Sequence, residues 1–280
     1  MTKNKSSKVA VSNANPRKFS KNKTLNLILT IVALIIWVGG VYFLVQYVLA
    51  FIIRSILQPT TNTPFYQTLY SVLCYLISAA IILFVPKLIN KKWKVSLEDL
   101  GIIELPTWTD IGLAPVGFLL YTLFANVLIS LFSIFPWFSA TEKQNVGYNS
   151  AMFGSDRLFA LTALVVVAPI VEEIIFRGFL YGKLRKKLVK DIPESKSKQK
   201  TKEIKAIKRK NRLGITIAII ITSLVFALMH RQWNVGINVF ALSIILCLFR
   251  EMTGTIYAGI IVHMLKNAIA FYLLYIVGMG

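Results

Sequence analysis

Histidine and cysteine are scarce in this chain, two of each in 280 residues, and the scarcity excludes several chemistries at once. Cys74 and Cys247 fall inside apolar runs, at no spacing suited to a disulfide framework or a cysteine metal site. His230 and His263 stand 33 residues apart and no His-Glu-x-x-His segment occurs, so the helix-borne zinc protease pattern is absent. Gly-x-Ser-x-Gly is also missing, which leaves Ser223 and Ser243 as packing residues rather than nucleophiles. Charge is sparse as well: 16% of residues are charged against 56% hydrophobic, with a mean hydropathy of +0.64. A soluble domain of this length would not be so apolar.

What the chain has instead is long apolar runs, near residues 25–52, 66–88, 111–135, 158–181, 213–230, 235–250 and 254–277. Their lengths predict an all-α, polytopic transmembrane helix bundle of about seven spans, the sixth being the shortest. The formal charge of +20 would suit nucleic acid, but the lysines and arginines lie between the apolar runs. There they act as topology signals and contact anionic lipid, so the expected partner is the bilayer and not a nucleic acid. With the amino terminus inside, the cytoplasmic segments hold 26 Lys/Arg and the outer loops only Arg54, Lys143, Arg157 and Arg231. That bias predicts a cytoplasmic amino terminus. The expected organisation is a basic cytoplasmic tail over 1–23, two spans and a connection over 24–108, and a core over 109–280 interrupted by a solvated basic loop at 183–212. No cleavage site follows the tail, so it reads as retained rather than as a signal peptide. The stretch "SLEDLGI", Ser96 to Ile102, reads as a short interfacial connection.

Several polar residues interrupt the spans. A carboxylate near the bilayer centre costs roughly 2.5–3.5 kcal/mol on insertion scales, so it needs a partner or a task. The fourth span carries Glu172, Glu173 and Arg177. Glu173 and Arg177, four apart with glutamate first, can neutralise each other. Glu172 projects about 100° away and has no partner within its own helix. Both histidines lie in or at the end of spans, His230 one turn after Phe226 and His263 one turn before Asn267. Counted from Gly182, taken as the cytoplasmic interface of the fourth span, Glu172 lies about 15 Å deep, and counted from Gly254 His263 lies about 14 Å deep, at ~1.5 Å per residue. Counted from Gly214, His230 lies about 24 Å in, a mismatch that needs either a projecting fifth helix or a chain that dips back.

A glutamate, two imidazoles and an amide converging in a hydrated cavity support peptide hydrolysis in two ways. In one, Glu172, His230 and His263 hold a zinc ion that lowers the pKa of its bound water. In the other no metal takes part: Glu172 acts with His230 as general base, and His263 and Asn267 donate to the developing oxyanion.

Three segments carry a resemblance: "EEIIFR" (Glu172 to Arg177), "FALMH" (Phe226 to His230) and "HMLKN" (His263 to Asn267). In this order, on three spans, they resemble the CAAX protease and bacteriocin-processing family, also called the Abi family of intramembrane proteases. The similarity covers roughly residues 110–277. It implies Glu172 as the catalytic carboxylate, with His230, His263 and Asn267 completing the site and Glu173, Arg177 and Phe226 in support. Metal-dependent and metal-free descriptions of the family both exist, so both routes stay open. The resemblance implies an endopeptidase acting on a peptide or membrane-associated protein, at a cavity opening to the cytoplasmic side. The Lys-, Asn- and Ile-rich composition suits a bacterial cytoplasmic membrane, where relatives are linked to bacteriocin self-immunity, peptide maturation and regulation. A non-proteolytic immunity or scaffold protein is the alternative reading. A transporter using the buried charges as an ion path is the third, weakened by the lack of an internal repeat.

Overall fold

In lipid a backbone must satisfy its own hydrogen bonds, and each long apolar run accordingly becomes helix. The structure, a computed structural model, describes residues 16–57, 63–89, 93–142, 148, 152–192 and 198–278. Among these no strand occurs. The helices are α1 (Pro16–Leu57), α2 (Pro64–Ile89), the short α3 (Leu97–Leu100), α4 (Trp108–Phe132), α5 (Ser155–Leu188), α6 (Lys198–Leu228), α7 (Trp233–Thr253) and α8 (Tyr257–Val277). All except α3 are long and apolar enough to cross a membrane, which makes the expected seven. Most of the tail expected over 1–23, residues 1–15, lies outside the described residues.

Two packed groups share one helix. The larger core joins α1, α2, α5 and α6, and the smaller joins α4, α7 and α8, with α7 contributing Val235, Val239 and Cys247 to the first and Leu242, Leu246 and Phe249 to the second. This sixth span, the shortest of the apolar runs, is the most enclosed: 56% of its apolar window is buried, against 17–50% elsewhere. Its apolar pattern is short because small and polar side chains, Gly236, Asn238 and Ser243 among them, sit where neighbouring helices approach.

The basic run 183–212 is helical over 183–188 and again from Lys198, so α6 begins well before its apolar stretch. Lysine and arginine are good helix formers and let the helix continue past the lipid. Near the same end α3 is fixed by a capping box between Ser96 and Asp99 and closed by Gly101 in the left-handed region, φ 78°. Burial alone would raise the Asp99 carboxyl, but its bonds to Lys186 and to the Ser96 N–H prevail and hold it below its ordinary value.

Close backbone contacts set the relative depth of the helices. A Cβ on Gly214 would lie 2.6 Å from the Leu188 carbonyl oxygen, so the end of α5 is level with Gly214 of α6. Sixteen residues lead back from Leu188 to Glu172, and sixteen lead on from Gly214 to His230. At ~1.5 Å per residue both reach about 24 Å, and the depth mismatch at His230 disappears. Counting α5 from Gly182 gives a smaller figure because the helix runs six residues further, to Leu188. Similarly, Gly178 meets Leu100 and the Ile256 N–H bonds the Gly101 carbonyl at 3.2 Å, which brings Glu172 and His263 level, six and seven residues beyond these contacts. Gly214→Ala should therefore push α5 from α6 and cost about 1–3 kcal/mol. A lowered melting temperature in detergent micelles is the expected result; an unchanged one would contradict the contact.

Candidate active site

Two π-helical segments, Thr162–Val167 and Ile174–Tyr181, flank the α-helical Ala168–Glu173 within α5. Such widened turns recur at functional sites. In the first, the Ala168 N–H bonds the Ala163 carbonyl, so the next bond of the series would run from residue 169 to Leu164. Residue 169 is proline and has no N–H. Asn267 Nδ2 supplies the missing donor, 2.8 Å from the Leu164 carbonyl oxygen. One N–H of this amide is therefore committed to α5.

Glu172 and Glu173 are both buried, yet they face different partners. Glu173 Oε1 lies 3.0 Å from Arg177 Nη1, and neither side chain has any exposure. The same oxygen accepts from His263 Nδ1 at 3.0 Å. Gly259 makes room for this approach of α8, since a Cβ there would sit 3.0 Å from Glu173 Oε2. The Arg177 guanidinium also rests 4.5 Å above the Phe226 ring, a cation–π contact worth about 2 kcal/mol in a desolvated setting.

Glu172 has the partner that its own helix lacks. Tyr75 of α2 donates its hydroxyl to Glu172 Oε1 at 2.9 Å, and Tyr42 of α1 packs against Tyr75 at 6.1 Å between ring centroids. The other oxygen, Oε2, is 3.6 Å from His263 Nε2. With Nδ1–H given to Glu173, Nε2 of a neutral His263 is an acceptor, so this contact calls for a shared proton or an intervening water.

Phe226 joins the two histidines. Its ring stands edge-on to His230 at 5.0 Å and to His263 at 5.9 Å, and its carbonyl accepts from His230 Nδ1 at 2.9 Å. That bond leaves His230 Nε2 unprotonated in the neutral ring. Glu172, Glu173, Arg177, Phe226, His230 and His263 thus form one connected cluster, with Asn267 a turn along α8. Tyr75 was not singled out from sequence, because one tyrosine in an apolar run carries no distinguishing signal.

Both imidazoles have Nδ1 anchored, to Glu173 and to the Phe226 carbonyl, as histidine metal ligands often do, while His263 Nε2 faces Glu172. Among the described residues, however, no three His, Cys, Asp or Glu side chains gather closely enough to hold an ion.

The neighbouring hollows lie at the end of the bundle away from the basic run. An apolar one of about 440 Å³ lies beside the His230 turn, lined by Leu224, Leu228, Trp233 and Phe240. A more polar one of about 370 Å³ lies between α4, α7 and α8. On the basic side α3 packs against Gly178 and Gly182 and leaves about 10 Å³ there, while a hollow of about 290 Å³ lies nearby between α1 and α2, lined by Trp37, Pro86, Ile89 and Trp93.

Fold and geometry together define a polytopic helical membrane protein with its ionisable groups gathered at one depth mid-bundle. Residues 154–269 match the family described as "Type II CAAX prenyl endopeptidase Rce1-like", and this matched stretch contains all three motifs. No curated protein and no solved structure matches the chain.

Proposed function

We propose that the protein is an intramembrane endopeptidase that cuts a peptide or membrane-associated protein with water activated at Glu172. The observation carrying this reading is the 3.6 Å gap between Glu172 Oε2 and His263 Nε2. A water about 2.8 Å from each can donate a hydrogen to both, which turns its lone pairs outward as a nucleophile. Glu172 takes one proton as the oxygen attacks the scissile carbonyl carbon. It then passes that proton to the amide nitrogen as the C–N bond breaks, giving a carboxylic acid and an amine. In this reading His230 Nε2 is a second proton acceptor and the remaining N–H of Asn267 the donor for the oxyanion.

No step in this route needs a metal, and the donor geometry favours the metal-free version. The Lys-, Asn- and Ile-rich composition suits a bacterial cytoplasmic membrane, and the resemblance of the three motifs suits a role in peptide processing or bacteriocin self-immunity. A non-proteolytic immunity or scaffold role draws support from the bracing contacts of Glu173, Arg177 and Asn267.

Purified protein in liposomes should cleave a membrane-presented peptide library in ¹⁸O water and place one ¹⁸O in each new carboxyl terminus. Activity should survive chelator treatment, and elemental analysis should find no stoichiometric zinc. Folded protein that leaves the library intact would defeat the peptidase reading, and activity lost on chelation and restored by zinc would defeat the metal-free route.

A further inference from the structure

Lys266 is a cation within a span, and the route above does not use it. It lies nine residues from Tyr257 and eleven from Val277, about 14 and 17 Å from the two ends of α8, too deep for its stem to reach either interface. Among the described residues no hydrogen bond or ion pair reaches its ammonium group, although burying an unpaired cation is unfavourable. It lines the hollow of about 370 Å³, to which Tyr121, Thr122, Asn234 and Asn238 contribute polar groups among apolar walls. Tyr121 donates to Asn238 Oδ1 at 2.8 Å, which orients that amide. Glu142 stands at the rim, exposed, with its backbone carbonyl held by Asn234 Nδ2 at 2.7 Å, and its carboxylate does not pair with Lys266.

The hollow adjoins the reaction centre. Lys266 is one turn from His263 on α8, and its charge acts on Glu172, His230 and His263. A fixed cation among neutral hydrogen-bonding groups in a low-dielectric wall selects an anion, and the anion a peptide carries is a carboxylate.

We propose that Lys266 and the cavity it lines form a carboxylate-binding subsite for the peptide, beside the Glu172–His263 centre. This rests on the peptidase reading. The carboxylate is either the chain terminus or an Asp or Glu side chain near the cut.

The test uses full-length Glu172→Gln protein in liposomes, which holds peptides without cutting them, and matched library peptides differing in one group. The pairs compare a free carboxyl terminus with a terminal amide, and an internal Glu with Gln. In one of the two pairs the carboxylate member should bind roughly ten- to a hundredfold more tightly, as a charged hydrogen bond would give. Which pair shows the preference identifies the source. Adding Lys266→Met should erase the preference, and Lys266→Arg should keep most of it. Equal binding within both pairs, or an equal loss for both members in Lys266→Met, would overturn the subsite. Carboxylate preference without cleavage by the wild-type protein would uphold the subsite and refute the peptidase reading.

Discussion

Exchange of Glu172 for glutamine is expected to lower turnover by about 10²–10⁴-fold, the usual share of a general base, and to leave melting nearly unchanged. Glutamine keeps the side-chain length and an oxygen that can still accept the Tyr75 hydroxyl, so the 2.9 Å contact survives. The lost property is the ability to take a proton from water across the 3.6 Å gap to His263. Cleavage rates in liposomes, with melting as the folding control, decide the matter. Equal rates for the variant and the wild type would remove Glu172 from catalysis, while retained bacteriocin immunity with no cleavage in either protein would favour the scaffold reading.

The second large effect is on stability. Glu173 and Arg177 are fully buried and 3.0 Å apart, so removing either partner strands the other. Glu173→Gln and Arg177→Met should each cost about 3–5 kcal/mol, the penalty of an uncompensated buried charge. The double variant, with no charge left to strand, should recover much of that loss. A mutant cycle on denaturation in mixed micelles measures the coupling. Additive losses would show that the pair does not act as a unit. Glutamine still offers an oxygen to His263 Nδ1, so the double variant also separates charge balance from the hydrogen bond that sets the histidine tautomer.

Much of the architecture was legible because the bilayer imposes a length. Seven apolar runs became seven span-length helices, and the ion pair expected four residues apart is present. The helix ends were less legible, since lysine-rich turns continue α5 to Leu188 and start α6 at Lys198 without any apolar signal. The relative level of Glu172 and His230 therefore follows from the contact of Leu188 with Gly214, which no apolar pattern announces. The π-helical segments were not foreseen, although Pro169 and Asn267 are both visible in the sequence. Their relation depends on one carbonyl, Leu164, that only the folded chain identifies. Within the cluster, spacing pointed to the residues on α5 and α8. The contribution of α2 was hidden because Tyr75 is 97 positions from Glu172.

That phenol has a consequence for how the protein can be divided. The family-matched stretch begins at residue 154, yet one oxygen of Glu172 takes its hydrogen bond from position 75. A minimal fragment bearing every motif would present its carboxylate half bare, and a chimera that borrows the first two helices of a distant relative would inherit a different acid. The portable unit is larger than its signature.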